Sequence, residues 1–162
     1  MTPEERRAFV REHRTAIFGY NRLSDGPAMS IVYYVIDSDD TILVSTMLAR
    51  AKARAVARNP KVSLCVLDEQ WPPTYLQVYC DASVETDVEA ATDLMMRIAG
   101  VMAGQPMPES LRGQVRQGAV VEKRVVLRLR PYETFETPPR HVYSAKDIEG
   151  LTHSLGKRLP WK

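Results

Sequence analysis

The residues best suited to chemistry in this sequence lie in one short segment, Val44-Ser45-Thr46-Met47-Leu48-Ala49-Arg50-Ala51-Lys52-Ala53-Arg54. It passes from an apolar, strand-like run through the hydroxyls of Ser45 and Thr46 into an alanine-rich, basic stretch that is expected to begin a helix. Hydroxyl groups, backbone N–H groups at the positive end of a helix, and cations such as Arg50 and Lys52 are the donors that proteins use for phosphate. The segment therefore predicts a phosphate site.

Positive charge continues beyond this segment. Residues 50–61 contain five basic side chains and no acidic one. Arg50, Arg54 and Arg58 have the i, i+4 spacing that places them on one face of a helix, where they repel one another unless an anion or solvent intervenes. Two interpretations stay open for this row, an anion-binding surface and an ordinary solvated helix face.

Other familiar sites have no support in the sequence. There is no Gly-x-Gly-x-x-Gly or Walker-type loop, no nucleophile elbow, and no Cys-x-x-Cys. The three histidines (His13, His141 and His153) are far apart in the chain, so no metal site is expected. Cys65 and Cys80 lie in apolar, strand-like runs and are expected to be a reduced, buried pair. Nucleotide-binding Rossmann or P-loop folds, hydrolases and zinc sites are thus disfavoured.

The elements that must position the segment can be predicted from periodicity and capping. Thr2-Pro3-Glu4-Glu5 is a capping box that predicts a helix fading near Arg14, and Thr86-Asp87-Val88-Glu89 is a second one. The second box opens a predicted helix with Leu94, Met95, Ile98 and Met102 at helical spacing, ending near Gly104. Further helices are predicted at 50–59 and 109–117, and strands at 15–22, 28–36, 41–46, 61–67, 75–84 and 125–130. The first two strands form a predicted hairpin around Ser24-Asp25-Gly26-Pro27, and Trp71-Pro72-Pro73 separates the fourth strand from the fifth.

Length and composition fit a single globular domain. The chain has 162 residues, of which 44% are hydrophobic and 26% charged, and a formal net charge of +2. This charge is too balanced to indicate a nucleic-acid protein, and no apolar run is long enough for a membrane span. With no visible export signal, a cytoplasmic location is expected. About six short strands with inserted helices predict a mainly β (α+β) small barrel over residues 1–136, followed by a polar, proline-containing tail over 137–162.

The sequence resembles the flavin and deazaflavin oxidoreductases with a split β-barrel fold, which are related to pyridoxamine 5'-phosphate oxidase. The resemblance covers roughly residues 8–130, and its most specific part is the order strand, Ser-Thr, Arg-x-Lys-x-Arg, Arg-Asn-Pro-x-Val-Ser. The matching segments are Asp25-Gly26-Pro27, Val32-Tyr33-Tyr34, Val44-Ser45-Thr46, Arg50-Ala51-Lys52-Ala53-Arg54, Arg58-Asn59-Pro60-Lys61-Val62-Ser63 and Tyr75-Leu76-Gln77-Val78.

This resemblance implies an FMN-binding-like homodimer with two cofactor sites at its interface. It implies that the Arg50-Ala51-Lys52 segment holds the cofactor phosphate with Ser45 and Thr46 beside it. Val32, Tyr33 and Tyr34 would flank an isoalloxazine-type ring, and Tyr75 and Gln77 would approach it from the barrel wall or from the partner subunit. For the tyrosines, ordinary barrel packing is the alternative.

The chain also departs from the family pattern, chiefly near the expected substrate position. Asp25-Gly26 runs straight into Pro27 where the family has an extra residue, Phe18-Gly19-Tyr20 replaces a usual Ala-Thr, and Cys80 stands at a usual glycine. The substrate therefore stays unassigned. The tail has no family counterpart, and Pro138, Pro139 and Trp161 are expected either to cover the interface or cleft or to be disordered.

The resemblance leaves two main cofactor candidates, coenzyme F-420 and FMN. The surplus of arginines suits the oligoglutamate tail of F-420, and the excess of arginine over lysine, 16 to 6, suggests a GC-rich genome of the kind that often makes it. The expected function is therefore F-420-dependent hydride transfer to a conjugated small molecule, with Tyr20, Tyr33 and Tyr34 as candidate proton donors. The alternatives are an FMN oxidase or reductase, a non-catalytic flavin- or haem-binding module, and a nucleic-acid binder that uses the basic helix.

Overall fold

The computed structural model describes residues 1–68, 74–136 and 156–162. Within them a single antiparallel sheet carries four α-helices and a 3-10 turn around its edges. The strands are β1 (Thr15–Tyr20), β2 (Ala28–Tyr33), β3 (Val35–Ile36), β4 (Ile42–Met47), β5 (Lys61–Asp68), β6 (Thr74–Glu85), β7 (Arg124–Glu136) and β8 (Lys157–Pro160). The helices are α1 (Pro3–Glu12), α2 (Ala51–Arg58), α3 (Val88–Ala103) and α4 (Arg112–Val121), with the 3-10 turn at Glu109–Leu111.

The sheet is curled into a split β-barrel, as predicted. Its strand order is β2-β1-β5-β6-β7-β4-β3, with β8 added beside β7. The two ends of this path, β2 and β3, are separated in the chain by Tyr34 alone, so the sheet must bend back on itself to bring its edges together. The predicted hairpin is confirmed, with Thr15 opposite Tyr33 and Tyr20 opposite Ala28.

Tyr34 divides what the sequence predicts as one strand over 28–36. Its side chain is 2% exposed, and its hydroxyl donates a 2.6 Å hydrogen bond to the backbone carbonyl of Val10 on α1. Its own N–H donates to the carbonyl of Arg14 instead of to a sheet partner. Because the chain leaves one edge of the sheet here and joins the other, the strand predicted over 28–36 becomes β2 and β3. With β8 as a second addition, the described residues form eight strands instead of about six.

The predicted helices are confirmed, with one correction to their bounds and one to their capping. Residues 109–111 of the helix predicted over 109–117 form the 3-10 turn, and the α-helix runs from Arg112 to Val121. Thr2 and Glu5 form the predicted capping box of α1. In α3 the N-cap is Asp87, whose side chain accepts from the backbone N–H of Ala90, so the predicted second capping box starting at Thr86 is wrong. Asp87 is favoured over Thr86 as the N-cap residue because its carboxylate also interacts with the positive end of the helix. The helix ends at Ala103. Its C-cap residue, Gly104, has a φ of 71°, a left-handed conformation that glycine adopts without strain.

The core lies inside the barrel and includes the end of the chain. Phe18, Leu64, Leu76 and Leu127 are fully buried in it, and Trp161 is 2% exposed in the same cluster. Trp161 therefore packs inside the barrel and does not cover a cleft. The division of the chain at residue 136 stays a prediction, and Trp71-Pro72-Pro73, Pro138, Pro139, His141 and His153 lie outside the described residues.

The two cysteines are free and lie on neighbouring strands. Cys80 is buried, whereas Cys65 is half-buried, so the expected burial is confirmed only for Cys80. Burial raises the pKa of both thiols. Neither is therefore an activated nucleophile.

Candidate functional site

Two adjoining cavities form a groove between β2, β4, α2 and α3. The smaller one, the cation cavity, has a volume of about 170 Å³, and the larger one, the apolar cavity, about 360 Å³. They share three lining residues, Ser45, Lys52 and Arg124. The cation cavity adds Thr46, Met47 and Arg50, and the apolar cavity adds Ile31, Val32, Tyr33, Met95, Ile98, Ala99 and Met102.

The end of β4 supplies the hydroxyl groups of the cation cavity. Ser45 and Thr46 lie opposite Val126 and Val125 of β7 in the sheet. The Oγ atom of Ser45 is buried and has no hydrogen-bond partner. A buried hydroxyl without a partner costs about 1–3 kcal/mol, a cost that a ligand acceptor in the groove would remove.

The N-terminus of α2 supplies backbone donors next to these hydroxyls. Arg50 is the N-cap residue, but no side chain caps the helix and its first turn contains no acidic residue. The N–H groups that begin with Ala51 are therefore left for solvent or a ligand, at the positive end of the helix. An anion bound there would satisfy them.

Arg50 and Lys52 place two cations at the same point. Neither has a carboxylate partner in the part of the chain that the structure describes. Lys52 is half-buried, with its Nζ atom 5.8 Å from the centroid of the Phe18 ring. Burial and, secondarily, the charge of Arg50 lower the pKa of Lys52. A bound anion would raise the pKa of Lys52 and so oppose both effects, because its negative charge stabilises the protonated amine.

Arg124 is a member of the site that the sequence did not reveal. It is the first residue of β7 and lies opposite Met47, the last residue of β4. Its Nε atom donates to Glu122 Oε2 at 2.6 Å, and the side chain lines both cavities. Only the pairing of β4 with β7 brings it to Ser45, and that register is not visible in the sequence.

The apolar cavity lies between β2 and one face of α3. Val32 is buried and Tyr33 about one-third exposed on the strand side. On the helix side stand Met95, Ile98 and Met102, which the sequence grouped with Leu94 in one apolar stripe. Leu94 packs in a buried cluster, whereas the other three line the cavity.

Three predicted site residues lie elsewhere in the described chain. Tyr34 is in the core with its hydroxyl bonded to Val10, and burial raises its pKa, so neither a ring contact nor proton donation by Tyr34 is supported. Tyr75 and Gln77 lie on β6 opposite Leu67 and Cys65 and do not line the groove. Their assignment stays a prediction that depends on a partner subunit.

Gly19 and Tyr20 also lie away from the groove. They line a separate cavity of about 330 Å³ together with Met29, Lys61 and Tyr132. Lys61 is paired there with Asp81 at 2.6 Å and stands 4.3 Å from the centroid of the Tyr132 ring. Tyr20 is therefore not positioned as a proton donor for the groove, which leaves Tyr33 among the tyrosines considered.

The donor set of the cation cavity fits a phosphate, and the adjoining cavity is lined mainly by apolar side chains. Fold and groove together define a split β-barrel protein with an anion-binding type of donor set at the end of an apolar groove. The chain belongs to the pyridoxamine 5'-phosphate oxidase family, whose sequence profile matches residues 2–137. This is a family of flavin- and haem-binding, oxidoreductase-like proteins.

Solved structures with the same fold are distant in sequence. A conserved hypothetical protein from Mycobacterium tuberculosis is 20% identical, with 90% of this chain and 94% of that chain covered and a TM-score of 0.73. An F-420 reductase is 18% identical, with 78% and 93% covered and a TM-score of 0.60. The haem storage protein HutZ from Vibrio cholerae is 19% identical, with 79% and 88% covered and a TM-score of 0.56. At these identities the likeness concerns the fold.

No curated protein matches the sequence significantly. In the described ranges no cluster of three or more His, Cys, Asp or Glu side chains could hold a metal ion. The helices found there are all too short or too polar to cross a bilayer.

Proposed function

We propose that the protein is a coenzyme F-420-dependent oxidoreductase that transfers a hydride to a conjugated small molecule. The observation that carries the proposal is the buried, unpartnered Ser45 hydroxyl beside the uncapped N-terminus of α2 and the cations Arg50 and Lys52. These groups would bind the cofactor phosphate. Val32 and Tyr33 would lie against its ring.

The preference for F-420 over FMN rests on the arginine row of α2. Arg54 and Arg58 are exposed and have no carboxylate partner among the described residues. With a rise of about 1.5 Å per residue, Arg50 to Arg58 extends about 12 Å along the helix from the cation cavity. A single phosphate cannot reach that far, whereas the oligoglutamate tail of F-420 can. FMN is the alternative cofactor.

The chain's own residues contribute binding, orientation and exclusion of water. When bound, reduced F-420 supplies the hydride. Lys52 and Arg124 fix the phosphate end, and the walls of the apolar cavity hold the reacting groups together. Among the candidate tyrosines, Tyr33 is the one that lines the groove, so its hydroxyl is the proposed side-chain proton donor, with solvent as the other source.

An equilibrium titration with F-420, with FMN as competitor, tests the proposal. Lys52→Ala is expected to weaken F-420 binding about tenfold or more because a charge-assisted contact is lost. Ser45→Ala is expected to weaken it about tenfold. Ser30→Ala is the matched control, because Ser30 Oγ is also buried without a partner but does not line the groove.

Competition with FMN and the variant Arg54→Ala show which of the two cofactors the protein uses. F-420 binding that FMN displaces poorly and that Arg54→Ala weakens supports the proposal. If FMN binds more tightly and Arg54→Ala changes neither affinity, the protein is an FMN oxidase or reductase. If neither cofactor binds the folded protein, the phosphate assignment is wrong.

We further propose that the protein is a homodimer in which a second copy covers β2. This edge strand exposes Met29 at 72% and Ile31 at 76%, and Ile31 is paired with Ile17 of β1, itself 38% exposed. Exposed apolar side chains on an edge strand favour association. Ile31 also lines the apolar cavity, so a partner on this face would reach the groove.

Light scattering after size-exclusion chromatography tests the dimer. Ile31→Lys is expected to shift the protein towards monomer. Val121→Lys, at a 75% exposed position on α4, is expected to leave the mass unchanged. A wild-type monomer at micromolar concentration would contradict the proposal.

A further inference from the structure

The C-terminal half of α3 turns an apolar face towards the groove instead of the core. Leu94 and Met96 are buried, but Met95, Ile98 and Ala99 are only partly buried and Met102 is 56% exposed. All four of these less buried residues line the apolar cavity. Leaving such side chains accessible to water forgoes part of the about 1.5–3 kcal/mol that full burial of a Met or Ile side chain contributes, and a group of them beside one cavity is typical of a binding surface.

Charge is distributed unevenly along the groove. The charged lining residues of the apolar cavity are Lys52 and Arg124, and both are shared with the cation cavity. The seven lining residues that are not shared carry no charge, and Tyr33 has their only polar side-chain group. A phosphate or carboxylate placed against α3 would therefore lose part of its hydration without gaining a counter-charge there, which disfavours its binding.

We propose that the Met95, Ile98, Ala99 and Met102 face of α3 is the substrate subsite, and that it accepts uncharged, apolar, conjugated molecules. This inference rests on the proposed function, which assigns the cofactor phosphate to the cation cavity and the cofactor ring to the Val32 and Tyr33 side of the apolar cavity, opposite α3. Methionine side chains are flexible and polarizable, so this wall can adapt to flat molecules of different outline. A substrate with its own phosphate group, as in pyridoxamine 5'-phosphate, is disfavoured at the same wall.

The neighbouring cavity on another side of α3 provides a contrast. It is larger, about 580 Å³, and is also rich in apolar groups, with Met96, Val101 and Met107 among its lining residues. Arg97 and Glu109 line it as well, so charges of both signs are present. A methionine-to-lysine substitution in each of the two cavities, at Met102 and at Met107, can therefore show which of them binds a given probe.

Two probes with one skeleton test the inference by equilibrium dialysis: N-phenyl-1-naphthylamine, which is uncharged, and its 8-sulfonate. Each is titrated into the protein saturated with whichever of F-420 and FMN binds. The uncharged probe is expected to bind at least about tenfold more tightly than the sulfonate, because the groove's cations are then occupied. Met102→Lys is expected to reverse that order. The control Met107→Lys, in the neighbouring cavity, is expected to leave it unchanged.

Three results would overturn the inference: tighter binding of the sulfonate, a Met102→Lys variant with the wild-type preference, or competition between the uncharged probe and the cofactor. Competition would mean that this wall holds the cofactor ring. Arg50→Ala separates the inference from the proposed function. It is expected to weaken cofactor binding while keeping the affinity of the cofactor-free protein for the uncharged probe within about twofold, because Arg50 lines the cation cavity but not the apolar cavity. If neither cofactor binds, the probes and both methionine variants are compared with 50 mM inorganic phosphate instead.

Discussion

In the absence of a ligand, the surroundings of Ser45 and Lys52 are energetically unfavourable for the hydroxyl of the one and the charged amine of the other. The Ser45 hydroxyl is buried without a partner, and burial lowers the pKa of Lys52. Both costs disappear when an anion binds between them. The sequence predicted both residues because hydroxyls and cations beside a helix start form a local pattern. It did not predict Arg124, whose place depends on strand pairing.

The lowered pKa of Lys52 predicts a pH dependence of anion binding. In the proposed site the protonated amine of Lys52 binds the anion, so binding would take up a proton near the depressed pKa, and affinity is expected to fall as the pH rises through it. In Lys52→Arg the guanidinium stays charged throughout, so its affinity is expected to hold to higher pH. Titration of the cofactor that binds, between pH 7 and pH 11, measures this. A wild-type decline centred at or above the ordinary lysine pKa of about 10.4 would contradict it.

At the scale of elements, the sequence predicted most helices and strands and the β1–β2 hairpin, but not the pairings between strands that are distant in the chain. The ends of α2 follow from local chemistry: alanines favour the helix, and Asn59-Pro60 ends it. The pairing of β4 with β7 joins residues about eighty positions apart and has no local signal. The sequence also could not show that α3 lines a cavity, because the spacing of its apolar residues is the same whether they face a core or a cavity.

The turn between α4 and β7 predicts a stabilising substitution. Lys123 has a φ of 49°, and its carbonyl accepts a 2.9 Å hydrogen bond from the N–H of Leu48, beside the cation cavity. A left-handed conformation costs a non-glycine residue about 1–2 kcal/mol. Glycine avoids this strain, but its greater freedom in the unfolded state offsets about 0.5–1 kcal/mol of the gain. Lys123→Gly is expected to raise the free energy of unfolding by about 0.5–1 kcal/mol. Urea denaturation measures it, with Lys123→Ala, which keeps the strain, expected to show no gain.

At the scale of the whole molecule, barrel closure was predicted but the position of the chain's end was not. Alternating apolar runs with turns between them indicate a barrel, whereas Lys157–Pro160 is short, polar and proline-containing. It becomes a strand because β7 extends to Glu136 and offers it a partner. Arg6 of α1, itself 2% exposed, adds a 2.6 Å hydrogen bond to the carbonyl of Pro160. These contacts are long-range, so composition alone predicts a loose tail.

The burial of Trp161 predicts that the last residues stabilise the barrel. The side chain is 2% exposed in the main core, its backbone N–H donates to the carbonyl of Tyr132, and its Nε1 has no partner. Trp161→Ala is expected to lower the free energy of unfolding by about 3–5 kcal/mol, because it leaves a large cavity. Trp161→Phe is expected to cost clearly less, since it keeps an aromatic ring and removes the unsatisfied N–H. Urea denaturation of both variants decides the matter, because a tail outside the core would leave the alanine variant within about 0.5 kcal/mol of wild type.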